Sequence, residues 1–596
     1  MSQPANNSKT WNLDDIVGID EFQDLLERAY KDIDNLAEFF NSRVTPGMTE
    51  PEFVEFSNLS ETTTELLHRL SARAELMILT NQKDALAIKL KNQSKDLEIY
   101  YSEKMQPVSL WLQGKNIDGK ESLDDSNSER LFASVPDLQY ILEYDRKLAH
   151  YSLSAKEENI ISAKDSNGTA VLYDLRGVIE SEMKFRFQPK GQDTIVIESL
   201  TEINSLKYSL DAHTRAEAFR ASFEQYSNNI DKFFMIYQAI AKDWSYTAKL
   251  RGYPSPISMR NAENHVSDIA IETLMRVCIE NNSIFQRFFK YKAKLLGMNK
   301  LRRFDIYTPI GEDILTIDYD KAINLVLETF EEFSPNFAAK AKSIIEANHI
   351  DSQPGDSKSG GASCWTITPK IVPYIMLNYT SKGKDIGSIA HELGHGIHSL
   401  YASVHSVSTQ ESTLPLGETA ATLCETIVFE KLLEKATNND QKKYLLASKI
   451  TECFASIMRQ NYFVKFEIEA HQKLQEGITE SELSGIWLDN LHQQFGGSVE
   501  VDDMFAHEWA VVPHIFERPF YCYAYNFGEL LSLALYKRYK DEGDSFIPKI
   551  EQVLTAGSSQ SPEIILQDIG IDINSAQFWQ ASFEIIEDWQ KQLEAL

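Results

Sequence analysis

The residues from Ile386 to Leu400 constrain this chain more than any other stretch, and they read I-G-S-I-A-H-E-L-G-H-G-I-H-S-L. At 100° per residue, one helical face collects only apolar side chains, namely Ile386, Ile389, Ala390, Leu393, Ile397 and Leu400. His391, His395 and His398 fall on nearly the opposite face, beside Ser and Gly rather than Lys and Glu. The pattern therefore predicts a buried helix whose polar face borders an internal site.

The spacing of His391 and His395 is i, i+4, so their imidazoles can converge on one cation. Glu392 lies between them, about 100° round the helix, where it flanks the cation without binding it. This H-E-x-x-H arrangement is typical of zinc hydrolases, in which the glutamate is the general base. The alternative is an ordinary helix with two solvated histidines, because short motif matches also occur by chance.

Two glycines in the same helix, Gly394 and Gly396, need a physical reason. Each weakens a helix by roughly 0.8–1 kcal/mol relative to Ala. We therefore expect another segment of the chain to approach the helix closely at this point. Such an approach, together with the apolar face, favours a buried metal site over a chance match.

A catalytic zinc usually has three protein ligands, so a further ligand is expected after the histidine helix. The stretch L-G-E-T-A-A-T-L-C-E carries Glu418 and Glu425 on one helical face, far enough along the chain for a loop and a returning helix. We assign Glu418 as the third metal ligand. Glu425 is predicted to accept the free N–H of a ligating histidine. A solvated helix face is the alternative for both glutamates.

A third group of polar side chains lies near the C-terminus, in W-A-V-V-P-H and R-P-F-Y-C-Y-A-Y-N-F-G-E. Pro519 is predicted to open a helix, on which Tyr521 and Tyr525 point the same way. Neutral His and Tyr donors are what a developing oxyanion requires, so we predict that His514, Tyr525 and Tyr521 bind substrate. The alternative is an aromatic core stripe. Tyr523 points elsewhere and is predicted to be structural.

Most of the remaining chain has helical periodicity, with two short exceptions. Met183 to Ile197 alternates around a Q-P-K-G turn and predicts a β-hairpin. C-W-T-I-T and Y-I-M-L-N-Y-T predict two strands directly before the histidine helix. These strands either present an edge to an extended peptide or form a structural hairpin over the core. We expect a mainly α protein with an N-terminal helical lobe (1–200) and a catalytic domain (201–596).

Composition excludes several classes of partner and location. A net charge of −29 over 596 residues excludes a general nucleic-acid binder and disfavours an anionic membrane. The five cysteines are scattered and form no C-x-x-C pair, which is typical of thiols buried in a reducing compartment. No secretory signal and no apolar run of about 20 residues is visible. We expect a soluble, cytoplasmic protein, and the oligomeric state stays open.

At the residues that carry the chemistry, the sequence resembles the oligoendopeptidase F branch of the thimet oligopeptidase family of zinc metallopeptidases. The matching text is P-Y-I-M-L-N-Y-T, H-E-L-G-H-G-I-H, L-G-E-T-A-A-T-L-C-E, W-A-x-x-P-H and F-Y-C-Y-A-Y-N-F-G-E-L-L, and the opening T-W-N-L-D-D-I is similar too. The resemblance implies an almost wholly helical, elongated, two-lobed protein with one zinc at the floor of a deep central channel. It also implies cleavage of short peptides but not of folded proteins.

By position, the resemblance implies that His391, His395 and Glu418 are zinc ligands and that Glu392 is the catalytic base. It places His514 and Tyr525 where the family has its substrate and oxyanion donors. The thimet branch has additional tyrosines after its histidine; here the spacing is shorter by one, and Arg518 and Cys522 occur instead. The role of Tyr521 therefore does not follow from the family pattern.

The function predicted from the sequence is a zinc-dependent endopeptidase that hydrolyses short unstructured oligopeptides, with Glu392 as general base. A non-catalytic peptide-binding protein is one alternative, although binding alone does not require a base. A zinc exopeptidase is another. An exopeptidase needs a charged group to fix a peptide terminus, and we identify none in the sequence.

Overall fold

A computed structural model describes residues 10–117, 119–311 and 316–596, and it confirms a mainly helical protein. The helices are α1 (Phe22–Arg43), α2 (Glu50–Thr80), α3 (Ala85–Leu112), α4 (Asp125–Ala133), α5 (Pro136–Leu148), α6 (Ala155–Asn167), α7 (Thr169–Ser181), α8 (Leu200–Leu206), α9 (Ala212–Asn228), α10 (Ile230–Arg251), α11 (Pro256–Glu263), α12 (Asp268–Glu280), α13 (Asn282–Leu295), α14 (Tyr319–Phe333), α15 (Pro335–Glu346), α16 (Gly383–Ala402), α17 (Leu414–Gly417), α18 (Thr419–Lys435), α19 (Asn439–Cys453), α20 (Arg459–Glu476), α21 (Glu480–Phe495), α22 (His514–Glu517), α23 (Tyr523–Glu542), α24 (Ile547–Thr555), α25 (Pro562–Gln567) and α26 (Ala576–Ala595). The strands are β1 (Phe185–Phe187), β2 (Ile195–Ile197), β3 (Leu301–Arg302), β4 (Ile350–Asp351), β5 (Ser363–Trp365), β6 (Tyr374–Met376) and β7 (Val499–Glu500).

The described residues pack into two compact units, each built from three stretches of chain. Unit 1 comprises residues 10–152, 316–431 and 535–571, and unit 2 comprises residues 153–311, 432–534 and 572–596. The division that we drew near residue 200 follows chain order and stays a prediction. The histidine helix α16 belongs to unit 1, and the aromatic C-terminal group belongs to unit 2.

Unit 1 is organised by the packing of α1, α2 and α3 on one another. Apolar side chains at helical spacing supply the contact, among them Leu26, Leu70 and Leu97. Tyr374 of β6 is fully buried in the same cluster, and its hydroxyl donates to the Asn12 carbonyl at 2.8 Å. The core of the helical layer therefore extends to the sheet that precedes α16.

That sheet has three short strands in the order β4-β6-β5. β4 runs parallel to β6, whereas β5 pairs with β6 in antiparallel register, with Cys364 opposite Ile375. β6 is buried along its length, and β5 forms a half-buried edge. Both strands pack against α16, which confirms the two strands predicted before the histidine helix.

α16 is the buried helix that the apolar face predicts. Ile386, Ile389 and Ile397 are at most 1% exposed, although Leu400 at the end of the face is half-buried. The Asp385 carboxylate accepts from the backbone N–H groups of Thr380 and Lys382, at 2.6 and 3.1 Å. This cap fixes where the helix begins and thus which face meets the core.

In unit 2, β1 and β2 form the predicted hairpin, and the helical core around α10 and α20 is rich in aromatic rings. Tyr237 lies 5.8 Å from Trp509 and 5.4 Å from Phe516 between ring centres. Of the helices that the structure describes, none is both long and apolar enough to cross a membrane.

Candidate functional site

The break between α17 and α18 brings a carboxylate to the histidine face of α16. Glu418 occupies this break, and its Oε2 lies 3.4 Å from His391 Nε2 and 3.5 Å from His395 Nε2. One ligand atom from each of the three residues lies within 4.8 Å of the other two. Within the described ranges, no other trio of His, Cys, Asp or Glu side chains converges in this way.

The approach of α18 to α16 depends on a glycine. A Cβ added at Gly394 would lie 2.6 Å from Ala421 Cα and 2.7 Å from the Ala420 carbonyl oxygen, both of which are backbone atoms of α18. This confirms the predicted close approach of another segment. At Gly396 the overlap would be with the end of the Ile344 side chain, which is more adjustable than backbone. Gly394 is therefore the residue that allows α18 to lie against α16.

Each histidine ring is oriented by a second contact on its other side. His391 Nδ1 lies 3.4 Å from the Glu425 carboxylate, where we predicted a partner for a ligating histidine. The ring of His395 hydrogen-bonds the backbone carbonyl of Gly417. Contacts of this kind fix the tautomer and direction of a ligating imidazole. The role of Gly417 was not predicted from the sequence, because a backbone carbonyl leaves no signature in the residue type.

Glu392 is only 6% exposed, yet it lines a cavity of about 580 Å³ together with both histidines. Burial and the nearby Glu418 carboxylate raise the pKa of Glu392 to about 7, and His391 opposes that shift. Burial lowers the pKa of His391, but Glu425, Glu392 and Glu418 together outweigh burial and raise that pKa to about 9. Three carboxylates around two imidazoles give the group an excess of negative charge that favours a cation.

The remaining walls of the cavity come from two segments. Ser363 and Cys364 of the edge strand β5 form one wall, and residues 410–412 of the loop after α16 form another. Cys364 is half-buried, which corrects our expectation that all five cysteines are buried; the other four are. The reason is its place on the edge of the sheet, where one side of the strand faces the cavity.

The loop after α16 is held by a contact that the sequence did not reveal. Asp137 at the start of α5 accepts from Ser406 N at 2.8 Å and Thr409 Oγ1 at 2.7 Å, and it lies 2.6 Å from His405 Nδ1. The other ring nitrogen of His405 lies 2.8 Å from the Thr555 carbonyl oxygen. Both nitrogens therefore face acceptors, which an imidazolium satisfies with two N–H donors.

Unit 2 brings together the three aromatic side chains predicted to bind substrate. The Tyr525 hydroxyl lies 3.3 Å from His514 Nε2, and the rings of Tyr521 and Tyr525 meet edge to face at 5.4 Å. His514 and Tyr521 stack with ring centres 6.1 Å apart. Burial lowers the pKa of His514 and so favours the neutral form of its ring. This chemistry matches a pair of neutral hydrogen-bond donors.

The prediction that Pro519 opens the helix is wrong, because α23 begins only at Tyr523. Phe520 has φ 60°, a left-handed conformation that interrupts any helical path from Pro519. Glu467 of α20 accepts from Phe520 N at 2.7 Å, and Arg260 of α11 donates to the Pro519 carbonyl at 3.0 Å. These distant residues hold a strained turn directly before Tyr521, and sequence analysis missed both.

Tyr523 is structural, as predicted. Its ring is fully buried, and its hydroxyl accepts from Asn264 Nδ2 at 2.7 Å. It therefore faces the interior of unit 2 rather than the group formed by His514 and Tyr525.

Comparison with known proteins places these observations in a family. The sequence profile of Peptidase family M3 matches residues 205–585. Oligopeptidase PepF of Bacillus subtilis is 25% identical over 66% of this chain, and the match spans 59% of that relative's length. A crystal structure from Chlamydophila abortus has a TM-score of 0.86 at 19% identity, covering 98% of both chains. Oligoendopeptidase F from Enterococcus faecium has a TM-score of 0.70 at 19% identity, covering 97% of this chain and 98% of that one. The resemblance inferred from the sequence motifs is thus confirmed.

Proposed function

Because this chain belongs to peptidase family M3, we propose that it is a zinc-dependent endopeptidase that hydrolyses short, unstructured oligopeptides. The observation that carries the proposal is the convergence of His391, His395 and Glu418 beside a cavity that also holds the buried carboxylate of Glu392. A substrate cavity, a cation-binding trio and a base within one unit are the parts that metal-assisted hydrolysis requires.

The donor set supports zinc as the metal. Two imidazole nitrogens and one carboxylate oxygen suit zinc, whereas calcium and magnesium prefer oxygen donors. Ligands about 2.0–2.1 Å from a tetrahedral zinc are separated by about 3.3–3.4 Å. The separations of 3.4 and 3.5 Å between Glu418 and the two histidine rings fit that spacing. His391, His395 and Glu418 would therefore hold the ion.

The proposed mechanism assigns the proton transfers to Glu392. Zinc, when bound, supplies a Lewis acid that activates water and polarises the scissile carbonyl. Glu392 accepts the proton of the attacking water and returns it to the leaving amine. Its buried setting and its pKa near neutrality suit both steps. Glu425 keeps the ring of His391 oriented, as Gly417 does for His395.

The donors in unit 2 and the edge of β5 complete the proposal. His514 and Tyr525 are proposed to donate hydrogen bonds to the substrate and to the developing oxyanion, and Tyr521 is proposed to contact the substrate. β5 is an edge strand of its sheet, and its residues Ser363 and Cys364 line one wall of the cavity. An extended peptide can add to such an edge through backbone hydrogen bonds, which do not depend on side-chain identity.

A non-catalytic peptide-binding protein remains the second candidate, and one experiment separates the two. The protein is incubated with an internally quenched fluorescent ten-residue peptide, with chelator, and with chelator followed by zinc. Endopeptidase activity predicts continuous turnover that stops with chelator and returns with zinc. Binding without turnover would support the second candidate. Mass spectrometry of the products distinguishes internal cuts from the removal of terminal residues.

We also propose that the protein acts in the cytoplasm. The five cysteines are free, which supports a reducing compartment. Among the described residues, no helix is long and apolar enough to span a membrane. The proposed partners are oligopeptide substrates rather than nucleic acid or membrane, and the net charge of −29 supports that choice.

A further inference from the structure

Unit 1 contains a second cavity besides the catalytic cavity that holds Glu392. Its volume is about 320 Å³, which is within the range of small-molecule sites. Helices α2, α3 and α5 form most of its walls. The lining side chains are mainly apolar, among them Phe53, Phe56, Met105, Leu138 and Leu142. An apolar molecule of suitable size would therefore gain free energy on moving from water into this cavity.

Two carboxylates give this second cavity a negative charge. Glu61 of α2 and Asp145 of α5 line it, and no lysine or arginine does. Among the residues that the structure describes, neither carboxylate forms an ion pair with a lysine or arginine. Asp145 is exposed, yet desolvation by the surrounding walls raises the pKa of its carboxyl, with no nearby cation opposing. Apolar walls with two such carboxylates are complementary to an apolar molecule that carries a cation.

The second cavity also reaches the loop after α16, because Ser408 lines it. Glu61 accepts from Ser408 N at 3.2 Å and from Ser408 Oγ at 2.5 Å. Two residues further on, Gln410 lines the catalytic cavity, and its Nε2 donates to the Ser399 carbonyl at 3.2 Å. Residues 408–410 thus belong to the walls of both cavities, so that an occupant of one contacts the segment that shapes the other.

We propose that the second cavity binds a small apolar molecule that bears a primary ammonium, with Glu61 accepting hydrogen bonds from the ammonium. An ionised carboxylate offers about four acceptor positions, and Ser408 uses two of those of Glu61, so the ammonium binds without displacing the loop. A ligand that fits the cavity in this conformation favours the loop conformation that forms its wall. Occupancy therefore steadies residues 408–410 and, through Gln410, the wall of the catalytic cavity. The effect on catalysis rests on the proposed function, whereas the binding does not.

The binding test uses titration calorimetry of the full chain with three probes of nearly equal size, namely phenethylamine, phenethyl alcohol and phenylpropanoate. The amine should bind about ten-fold tighter than the alcohol, the size of one charge-assisted hydrogen bond, and the carboxylate should bind weakest. Glu61→Gln should lower the affinity for the amine to that for the alcohol. Glu65→Gln changes a carboxylate one turn further along α2 that pairs with Lys370, and it should leave all three affinities unchanged.

Two further measurements follow the loop and the catalytic cavity. Saturating phenethylamine should slow hydrogen exchange of the Ser408 amide in wild type but not in Glu61→Gln. In the quenched-peptide assay, the same concentration should lower KM about two- to five-fold in wild type and have no effect on KM in Glu61→Gln. Thermal unfolding without ligand confirms that both glutamine variants are folded.

Equal affinity for the amine and the alcohol would overturn the ammonium site, and so would an affinity for the amine that survives in Glu61→Gln. Absence of amine binding to wild type would overturn the whole inference. Binding without protection of the Ser408 amide would overturn the coupling to the loop, and protection with an unchanged KM would overturn the coupling to the catalytic cavity. If no peptide is cleaved, the proposed function fails, while the affinities and the exchange rates still decide whether the second cavity binds the amine and steadies the loop.

Discussion

The candidate metal-ligand group of unit 1 (His391, His395 and Glu418) and the His–Tyr group of unit 2 (His514, Tyr521 and Tyr525) reach their geometry in different ways. His391 and His395 lie one turn apart on a regular, capped helix, so their convergence follows from their spacing in the sequence. Tyr521 and Tyr525 flank the start of α23 behind a residue with φ 60°, and the turn is held from other helices. On a regular helix, the relative position of two side chains follows from their spacing in the sequence. A strained turn keeps its conformation only because residues from elsewhere in the fold hold it in place.

Removing a metal ligand should give the largest effect on either group. In His395→Ala, zinc content should fall to background, and peptide hydrolysis should fall with it, because two ligands do not retain a catalytic ion. Elemental analysis and the quenched-peptide assay measure both. His398→Ala is the matched control on the same helix, since His398 lies outside the converging trio, and it should keep its zinc. A zinc-replete His395→Ala protein would contradict the ligand assignment.

The second expected effect separates the base from the ligands. Glu392→Gln should keep zinc and fold normally, yet lose about 10²- to 10⁴-fold in kcat, because a glutamine cannot accept the proton of the attacking water. Zinc content, thermal unfolding and steady-state kinetics are measured on the same preparation. Near-normal kcat with full zinc occupancy would remove Glu392 from the mechanism.

The third change addresses the turn of unit 2. Glu467→Met removes the acceptor for Phe520 N–H, so the left-handed turn should relax and kcat/KM should fall about ten-fold with zinc content unchanged. Glu467→Gln keeps an oxygen acceptor, so its kcat/KM should stay much closer to that of wild type than the kcat/KM of Glu467→Met does. Hydrogen exchange of the Phe520 amide should be fast only in the Met variant.

Glu469→Met supplies the control for that experiment, because Glu469 is an exposed carboxylate on the same helix. It should match wild type in exchange and in kinetics. If Glu467→Met lowered only the unfolding temperature and left kcat/KM intact, the turn would not position Tyr521 and Tyr525. The groups of unit 1 and unit 2 would then depend less differently on tertiary contacts than we infer.

The smallest effect concerns the loop after α16, where unit 1 also relies on a tertiary contact. The hydrogen bond to Asp137 raises the pKa of His405. A raised pKa in the folded state stabilises the protein fully below the unfolded value of about 6.5, and this contribution is lost as the pH rises through the folded pKa. His405→Gln should therefore lower the free energy of unfolding by about 1 kcal/mol at pH 6 and by less at pH 9. A difference that does not shrink with pH, in denaturant titrations, would exclude an ionic contact.

The residues that could be predicted from the sequence share a local cause. Periodicity or residue type predicts four of these features: the H-E-x-x-H helix, its apolar face, the glycine contact and the two strands before the helix. Glu418 was assigned from its distance along the chain and from the ligand count of zinc. Gly417, Asp137 and Glu467 were missed because each acts through hydrogen bonds on a segment that is remote in sequence. The turn at Phe520 was mispredicted because Pro519 is compatible with a helix start, and only the backbone conformation shows otherwise.

By itself the sequence determined the helical class, the buried helix that presents two histidines, and the family that its motifs resemble. These properties follow from side-chain periodicity and from short-range spacing, which the chain carries in any context. Only the tertiary structure decided which backbone atoms orient the rings and which residues hold the strained turn. Such contacts join positions far apart in the chain, and a single sequence does not encode which of many compatible partners will meet.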